Sequence, residues 1–199
     1  MSKKVIILGG GVIGMSTAFH LAEKGMSDIS IIEKDYIGSG SSSQAAGIVT
    51  CHQWNTTSIT ARMKTLDIFE KFSKILNGYT FQQVGCLNIS NEEDYNLGSE
   101  LRALQDSLGA LSETYIGNQL TEKFSDVILK DNEYGVLDPR GGFSEPHFYI
   151  PALKKKIENM GVKIFEKEEL INFNFQGENI NKIITFSKNE NIEKKYDCD

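Results

Sequence analysis

The stretch that decides the fold lies near the start of the chain, where residues 5–25 read VIILGGGVIGMSTAFHLAEKG. Val5 to Leu8 is a short aliphatic run, typical of a strand that is buried on both faces. A glycine-rich turn follows, and the next residues predict a helix from about Val12 to Lys24. A second apolar strand, residues 29–32, ends at Glu33. Strand, turn, helix and strand in this order predict a right-handed βαβ unit.

The glycines of this turn match the spacing GxGxxG at Gly9, Gly11 and Gly14. In this pattern the first glycine permits a tight turn, the second lets a pyrophosphate approach the backbone, and the third lets helix and strand pack closely. The first helical turn, with Val12 and Ile13, presents free N–H groups to phosphate oxygens. We therefore predict that these five residues bind a dinucleotide.

Glu33 strengthens this interpretation, because it stands at the end of the second strand, about 20 residues after the glycines, as the fingerprint requires. A carboxylate there accepts hydrogen bonds from ribose hydroxyls and disfavours a phosphate. The expected dinucleotide is FAD or NAD(H) rather than NADP(H). The alternative is a glycine-rich turn with a carboxylate there by chance.

The chain as a whole divides into three parts. A helical pattern covers residues 57–76, and a helix from 150 to 159 leads into a strand at 162–166. The stretch between these two helices, roughly residues 80–148, is too long and too structured for a loop. We predict the first part of the dinucleotide-binding domain at 1–79, an inserted α+β module at 80–148, and the continuation of the first domain at 149–199.

Composition argues against nucleic acid as a partner and against a membrane span. The formal charge of −6 and the pI near 5.2 provide no basic face. The apolar run at residues 5–22 imitates a secretory signal, but its glycines weaken it as an apolar helix. The three cysteines are far apart and form no metal-ligand pattern with the histidines. We predict a soluble, cytoplasmic protein with reduced thiols and no metal.

The sequence resembles the D-amino-acid-oxidase-type FAD-dependent oxidoreductases, which include glycine oxidase, the sarcosine oxidases and dimethylglycine dehydrogenase. The resemblance is strongest over residues 3–50 and returns at 136–170, VLDPRGGFSEPHFYIPALKKKIENMGVKIFEKEEL. It implies an α/β chain with an FAD-binding Rossmann-type three-layer fold, incomplete here. It further implies that the inserted module is part of a substrate domain.

The resemblance also implies further contacts with FAD. The small polar stretch GSGSSSQAAG at residues 38–47, which by itself is typical of a flexible linker, becomes part of the flavin site. The implied contacts are Ser41, Ser42 and Ser43 near the phosphates and ribityl chain, Ala46, Gly47 and Ile48 against the isoalloxazine ring, Lys34 over the adenosine end, and the backbone of Leu170 at the adenine. Because Gln44 stands where some relatives carry a flavin-linking histidine, the implied FAD is non-covalent.

The implied reaction is hydride transfer from the α-carbon of a small amine or amino acid to the flavin, followed by hydrolysis of an imine. We assign no catalytic residue. Arg140, in the turn DPRGGF, is one candidate to anchor a substrate carboxylate, whereas Arg62 and Arg102 are predicted to be solvated on helices. His52 follows the flavin loop, where a packed or exposed histidine is the alternative to a flavin contact.

Other interpretations stay open from the sequence. An NAD-dependent dehydrogenase would share the glycine turn, and a glycerol-3-phosphate dehydrogenase is a related possibility. The chain ends at EKKYDCD. At this point the D-amino-acid-oxidase-type proteins that it resembles continue into a further strand and an ATG-like turn. This ending predicts an N-terminal fragment or one subunit of a split enzyme, with a second chain as partner, or a non-catalytic remnant.

Overall fold

The computed structural model describes residues 3–128, 130 and 132–199. In chain order its helices and strands are β1 (Lys4–Leu8), α1 (Val12–Glu23), β2 (Asp28–Glu33), β3 (Ile48–Val49), α2 (Thr56–Ile75), β4 (Cys86–Asn91), α3 (Tyr95–Ser107), β5 (Glu113–Ile116), α4 (Gln119–Lys123), β6 (Glu133–Asp138), β7 (Gly142–Phe143), α5 (Pro146–Asn159), β8 (Lys163–Glu166), β9 (Glu168–Gln176), β10 (Asn179–Ser187) and β11 (Ile192–Asp197). Their contacts divide the chain into two units. Unit 1 comprises Met1–Ala45 and Pro146–Asp199, and unit 2 comprises Ala46–Glu145.

Unit 1 is built on a parallel sheet in the order β1-β2-β8. The βαβ unit predicted from the sequence is present, with Lys4 of β1 opposite Asp28 of β2 and Leu8 opposite Ile32. The aliphatic residues of β2 are buried, and α1 and α5 pack against each other beside the sheet. Strands β9, β10 and β11 follow as an antiparallel meander.

Unit 2 contains an antiparallel sheet in the order β4-β6-β5 and the short pair of β3 with β7. Its apolar core includes Ile59, Leu66 and Phe72 from the inward face of α2, and Leu120 from α4. The amphipathic pattern predicted for α2 is therefore a packing pattern, since its apolar stripe faces the core.

Several element boundaries differ from those that the sequence predicts. Helix α5 begins at Pro146 rather than at residue 150, because proline is well suited to the first helical position. Strands β5 and β6 and helix α4 carry no strong local pattern and were not predicted. Residues 46–79 belong to unit 2 by their contacts, whereas the sequence prediction placed them with the first part of the dinucleotide-binding domain.

Candidate functional site

The turn between β1 and α1 has a geometry that requires glycine at two of its predicted positions. Gly9 has a φ of +101°, and its N–H donates to the carbonyl of Ile32 at 2.8 Å. A Cβ on Gly14 would overlap the carbonyl oxygen of Gly9 and lie 3.3 Å from Cγ2 of Ile7. The first and third glycines therefore make the tight turn and the close helix–strand packing that the fingerprint assigns to them.

Gly10, to which the sequence analysis assigned no role, ties the turn to β2. Its N–H donates to Oε2 of Glu33 at 2.8 Å, and its carbonyl accepts the N–H of Gly38 at 2.9 Å. A Cβ on Gly10 would overlap Cδ1 of Ile37 and lie 3.2 Å from Cβ of Glu33. The only sequence signal for this role is the run of three consecutive glycines.

Glu33 is 9% exposed and lies directly beside the glycine turn. Its second oxygen, Oε1, accepts the N–H of Asp35 at 2.8 Å. Each carboxylate oxygen keeps a further lone pair, so Glu33 can order the turn and still accept a ribose hydroxyl. Lys34, the next residue, is exposed, and its carbonyl accepts a hydrogen bond from Lys188 at 3.1 Å.

Of the three predicted serines, the structure brings Ser42 to the start of α1. Its Oγ accepts the N–H of Val12 at 3.0 Å, and a Cβ on Gly11 would lie 3.1 Å from the same oxygen. The Ser42 hydroxyl thus occupies a place where a phosphate oxygen would find a free donor and the positive end of the helix dipole. Ser41 and Ser43 are exposed, and Ser43 donates to the carbonyl of Gly40 at 3.1 Å. Ile13, in the first turn of α1, is 82% exposed.

The three residues predicted to face the isoalloxazine ring lie at the start of unit 2. Gly47 has a φ of +74°, and its carbonyl accepts the N–H of Ser144 at 2.8 Å. Ile48 pairs with Phe143 across β3 and β7, and its side chain is largely exposed, as is Ala46. Together these residues present a small apolar surface on unit 2.

Leu170, predicted to meet the adenine through its backbone, lies in β9, a few residues after β8. It is half-buried and stands opposite Thr185 of β10. Within the described residues β9 is an outer strand of the meander, so one edge of its backbone has no strand partner.

Asp138, which the sequence analysis did not single out, is fully buried in unit 2 and organises the segment after β3. Its Oδ2 accepts hydrogen bonds from Thr50 at 2.7 Å and from both the N–H and the thiol of Cys51, while Oδ1 accepts the N–H groups of Arg140 and Gly141. Burial opposes the carboxylate charge, but the hydrogen bonds from Thr50 and Cys51 outweigh burial and hold the pKa of Asp138 below its ordinary value.

Ligand atoms of Cys51, His52 and Asp138 lie within 4.8 Å of one another, a grouping that the sequence could not reveal. Burial, reinforced by Asp138, raises the pKa of Cys51 to about 12, so the thiol stays protonated. The Asp138 oxygens already accept five hydrogen bonds from protein donors. This cluster is better explained as a hydrogen-bonded support than as a metal centre. Burial also lowers the pKa of His52, whose imidazole is half-buried and neutral.

Arg140 and Arg102 have contacts that the sequence did not indicate. Arg140 forms ion pairs with Asp67 at 2.7 Å and with Glu70 at 2.8 Å, so its guanidinium is engaged with α2. Arg102, predicted to be solvated, is half-buried against two tyrosine rings.

Among the described residues, no helix is long and apolar enough to cross a membrane.

A family model described as FAD dependent oxidoreductase (DAO) matches residues 4–197, nearly the whole chain. This chain belongs to the FAD-dependent oxidoreductase family. The match confirms the resemblance seen in the sequence, and FAD is the cofactor of this family. Members of the family are enzymes, as predicted.

Individual relatives agree with the family match. The chain is 26% identical over 185 residues to 4-methylaminobutanoate oxidase (formaldehyde-forming) of Paenarthrobacter nicotinovorans, covering 92% of this chain and 22% of that protein. It is 24% identical over 192 residues to sarcosine oxidase subunit beta of Arthrobacter, covering 92% of this chain and 47% of that protein. The crystal structure of glycine oxidase from Bacillus cereus matches with a TM-score of 0.77 and 27% identity, covering 92% of this chain and 51% of that one.

These comparisons confirm the predicted α/β fold class, because the structural match covers both units of the chain. They also show a family that acts on amine and amino-acid substrates. The chain spans about half or less of the length of each of these three relatives.

Proposed function

We propose that this chain forms the FAD-binding part of an oxidoreductase that oxidises the C–N bond of a small amine or amino acid. The observation that carries the proposal is the turn at the start of α1. There a Cβ on Gly14 would overlap the Gly9 carbonyl, so the helix start lies close to the strand. The Val12 N–H donates to the hydroxyl of Ser42, which a phosphate oxygen can replace as the acceptor. Such a turn suits a pyrophosphate, and the family match supports FAD as the dinucleotide.

The residues proposed to hold FAD each have a distinct task. Gly11, Val12 and Ile13 would receive the pyrophosphate with their backbone at the helix start, while Glu33 would accept hydrogen bonds from the ribose. Around these, the contacts proposed from the resemblance are Gly9, Gly14, Lys34, Ser41, Ser42, Ser43, Ala46, Gly47, Ile48 and the backbone of Leu170. When bound, FAD supplies the acceptor for a hydride from the substrate. The amide side chain of Gln44 does not form a covalent link to flavin, so we propose that the FAD is bound non-covalently. We also propose that the protein is cytoplasmic.

An absorption spectrum of the purified chain, taken before and after incubation with FAD, tests this proposal. We expect flavin bands that remain with the protein through desalting. A protein that retains NAD(H) and no flavin would instead select the NAD-dependent dehydrogenase. A chain that retains neither cofactor would favour the non-catalytic or partner-requiring alternative.

One structural observation favours a requirement for further sheet strands, in the same polypeptide or in a second chain. Apart from two bonds between Lys4 and Asp199, the described residues leave the outer edge of β1 without a partner. One surface of α1 also exposes Ile13, and parallel sheets are ordinarily covered on both faces. The similarity to sarcosine oxidase subunit beta supports a multi-subunit enzyme as one form of this arrangement.

Thr17, which is exposed on this face of α1, provides a test. The substitution Thr17→Lys is expected to leave the stability of the chain alone within about 0.5 kcal/mol, as is usual for surface sites. It should reduce amine oxidation when the chain is co-expressed with a candidate second chain. Turnover of N-methylglycine by the purified FAD-loaded chain alone would contradict the requirement.

A further inference from the structure

We propose that Asn77 is a site of spontaneous covalent modification, at which its side-chain amide converts to a mixture of aspartate and isoaspartate. Asparagine is a thermolabile residue, and it reacts fastest where the next residue is glycine. Asn77 is the single asparagine of the chain that is followed by glycine, Gly78. Both residues lie within unit 2, in the turn that follows α2. The modification is independent of the proposed cofactor chemistry and can be tested without FAD.

The reaction uses the main-chain nitrogen of Gly78 and the side chain of Asn77, and it needs no cofactor or oxidant. The Gly78 nitrogen loses its proton to hydroxide and attacks Cγ of Asn77. An N–Cγ bond forms, the Cγ–Nδ2 bond breaks, and the amide nitrogen leaves as ammonia. Water then opens the cyclic imide at either of its carbonyls. One opening gives aspartate, and the other gives isoaspartate, in which the main chain runs through the former side-chain carbons.

The turn at Asn77 and Gly78 is open to water and to hydroxide. Both residues are exposed. A Cβ at position 78 would meet no atom within 4 Å, so no packed group crowds this part of the turn. Within the described part of the chain, the Gly78 N–H donates no hydrogen bond. The attacking nitrogen is therefore free to reach the neighbouring side chain.

The backbone conformation of the turn explains why this reactive pair of residues is present. Gly78 has a φ of +81°, a conformation that residues with a Cβ rarely adopt. The turn therefore favours glycine at this position. The same lack of a Cβ leaves the approach of the Gly78 nitrogen to Cγ of Asn77 unhindered. The residue that forms the turn is thus also the residue that makes Asn77 reactive.

Fixed residues on both sides of the turn make the length of the main chain important. Leu76, before the turn, and Tyr79, after it, are both buried. The Tyr79 hydroxyl donates to Oγ of Ser144 at 2.8 Å. Two residues further on, the Phe81 N–H donates to Oγ of Ser73 on α2 at 2.7 Å. Isoaspartate adds a methylene group to the main chain between these fixed points, so we expect it to displace Tyr79 and weaken its hydrogen bond.

Ser144 cannot easily follow a displaced Tyr79, because it is held at the start of β3. Its N–H donates to the carbonyl of Gly47 at 2.8 Å, and a Cβ on Gly47 would overlap the Ser144 carbonyl oxygen. Aspartate at position 77 adds the same negative charge to the exposed turn without lengthening the main chain. We therefore expect isoaspartate to destabilise unit 2 and aspartate to change its stability little.

Prolonged incubation of the purified native chain, at neutral and at mildly alkaline pH, tests the proposal. Peptide mass spectrometry measures the mass gained when the amide becomes a carboxylate, and a protease that cleaves before aspartate but not before isoaspartate separates the two products. Asn77→Gln keeps an amide that forms a cyclic imide far more slowly, and Asn77→Asp carries the charge alone. Asn118, which is exposed and precedes Gln119, is the internal control in the same digest.

We expect conversion at Asn77 that speeds up as the pH rises, with isoaspartate as the larger product, and no measurable conversion at Asn118 over the same time. Asn77→Gln should lose the conversion. The fraction that contains isoaspartate should have a Tm below that of Asn77→Asp by roughly 1–6 °C, as expected for the loss of one hydrogen bond in a chain of this size.

Two results would overturn the modification site. One is no conversion at Asn77 in the native chain, including the case in which only the urea-unfolded chain converts. The other is equal conversion at Asn118. A Tm of the isoaspartate fraction equal to that of Asn77→Asp would overturn the effect on Tyr79. Flavin retention is read separately by absorbance, so failure here is distinguishable from failure of the proposed function.

Discussion

At the scale of single residues, Gly14 gives the sharpest prediction about the cofactor site. Its missing side chain allows α1 to approach β1, since a Cβ would overlap the Gly9 carbonyl oxygen. We expect Gly14→Val to destabilise the chain by about 1–3 kcal/mol, as overpacking does, and to abolish FAD retention. Chemical denaturation and the absorption spectrum after desalting measure the two effects.

Gly40 provides the matched control for this substitution. It lies in the small polar stretch at residues 38–47 and has no positive φ. A Cβ on Gly40 would meet no atom within 4 Å. Gly40→Ala should leave both stability and FAD retention unchanged. Normal flavin retention by Gly14→Val would show that the turn is not the pyrophosphate site.

Asp138 gives a prediction with a definite pH dependence. Its buried carboxylate accepts hydrogen bonds from Thr50 and Cys51, so Asp138→Asn should cost about 2–3 kcal/mol near neutral pH. The folded-state pKa lies below the ordinary 3.8, so this stability is present above the unfolded-state pKa and is lost as the pH falls through the folded-state pKa. The gap between wild type and variant should therefore narrow in acid below about pH 4.

Urea denaturation at a series of pH values measures this gap. The exposed Asp126 serves as a control, and Asp126→Asn should change stability little at any pH. A gap that stays constant from neutral pH to pH 3 would contradict the role given to the Asp138 charge.

Cys51 gives a prediction about reactivity. Its side chain is 2% exposed, and a pKa of about 12 in place of 9.0 lowers its thiolate fraction near neutral pH by roughly a thousandfold. We expect iodoacetamide at pH 8 to label the partly exposed Cys198 well before Cys51 in the native chain. Peptide mass spectrometry measures the order of labelling, and in urea the two rates should converge. Early labelling of Cys51 in the native state would contradict the buried hydrogen bond to Asp138.

At the scale of elements, Arg140 joins α2 to the turn between β6 and β7. The ion pairs with Asp67 and Glu70 are partly exposed, so the expected loss in Arg140→Gln is modest, about 0.5–1 kcal/mol. This loss should shrink at high salt. A double-mutant cycle with Glu70→Gln at low and high salt measures the coupling, with Arg62→Gln on α2 as control. A coupling that does not respond to salt would contradict an electrostatic link.

Elements with a strong local pattern could be predicted from the sequence. The alternation of β1, glycine turn, α1 and β2 was predicted within one or two residues, and so was the long apolar stripe of α2. Strand β6, with the sequence EYGVLD, could not be predicted in this way, because it contains Gly135 and precedes a proline. It forms a strand because distant residues pair with it, Cys86 of β4 opposite Asp138 and Glu113 of β5 opposite Leu137.

The same distinction applies to the candidate sites. Gly9, Gly11, Gly14 and Glu33 follow a motif with fixed spacing, so the sequence alone indicated them. The supporting contacts join residues that no local pattern connects, such as the Ser42 hydroxyl with the Val12 N–H. Arg102 was predicted to be solvated because α3 alone shows an ordinary polar face. Tyr134, which changes that environment, comes from a strand that was not predicted.

At the scale of the whole molecule, the net charge of −6 sets a condition on cofactor binding. FAD carries a negatively charged pyrophosphate, and the overall field of the chain does not attract it. Binding must then depend on local donors, above all the backbone N–H groups at the start of α1. A nonspecific polyanion should therefore bind weakly, whereas a ligand that fits the turn should bind at a defined stoichiometry.

This condition leads to a thermal-stability prediction that separates FAD from its alternatives. A ligand that binds only the folded chain adds about 2.7 kcal/mol at a hundredfold excess over its Kd, which raises Tm by roughly 5–10 °C for a chain of this size. We expect a concentration-dependent rise with FAD, a smaller rise with ADP, which shares only the adenosine and pyrophosphate parts, and none with inorganic pyrophosphate at the same concentration. Gly14→Val should remove the rise with FAD, because the turn would no longer admit the pyrophosphate. A larger rise with NADH than with FAD would place this chain with the NAD-dependent dehydrogenases in cofactor use, in spite of its family.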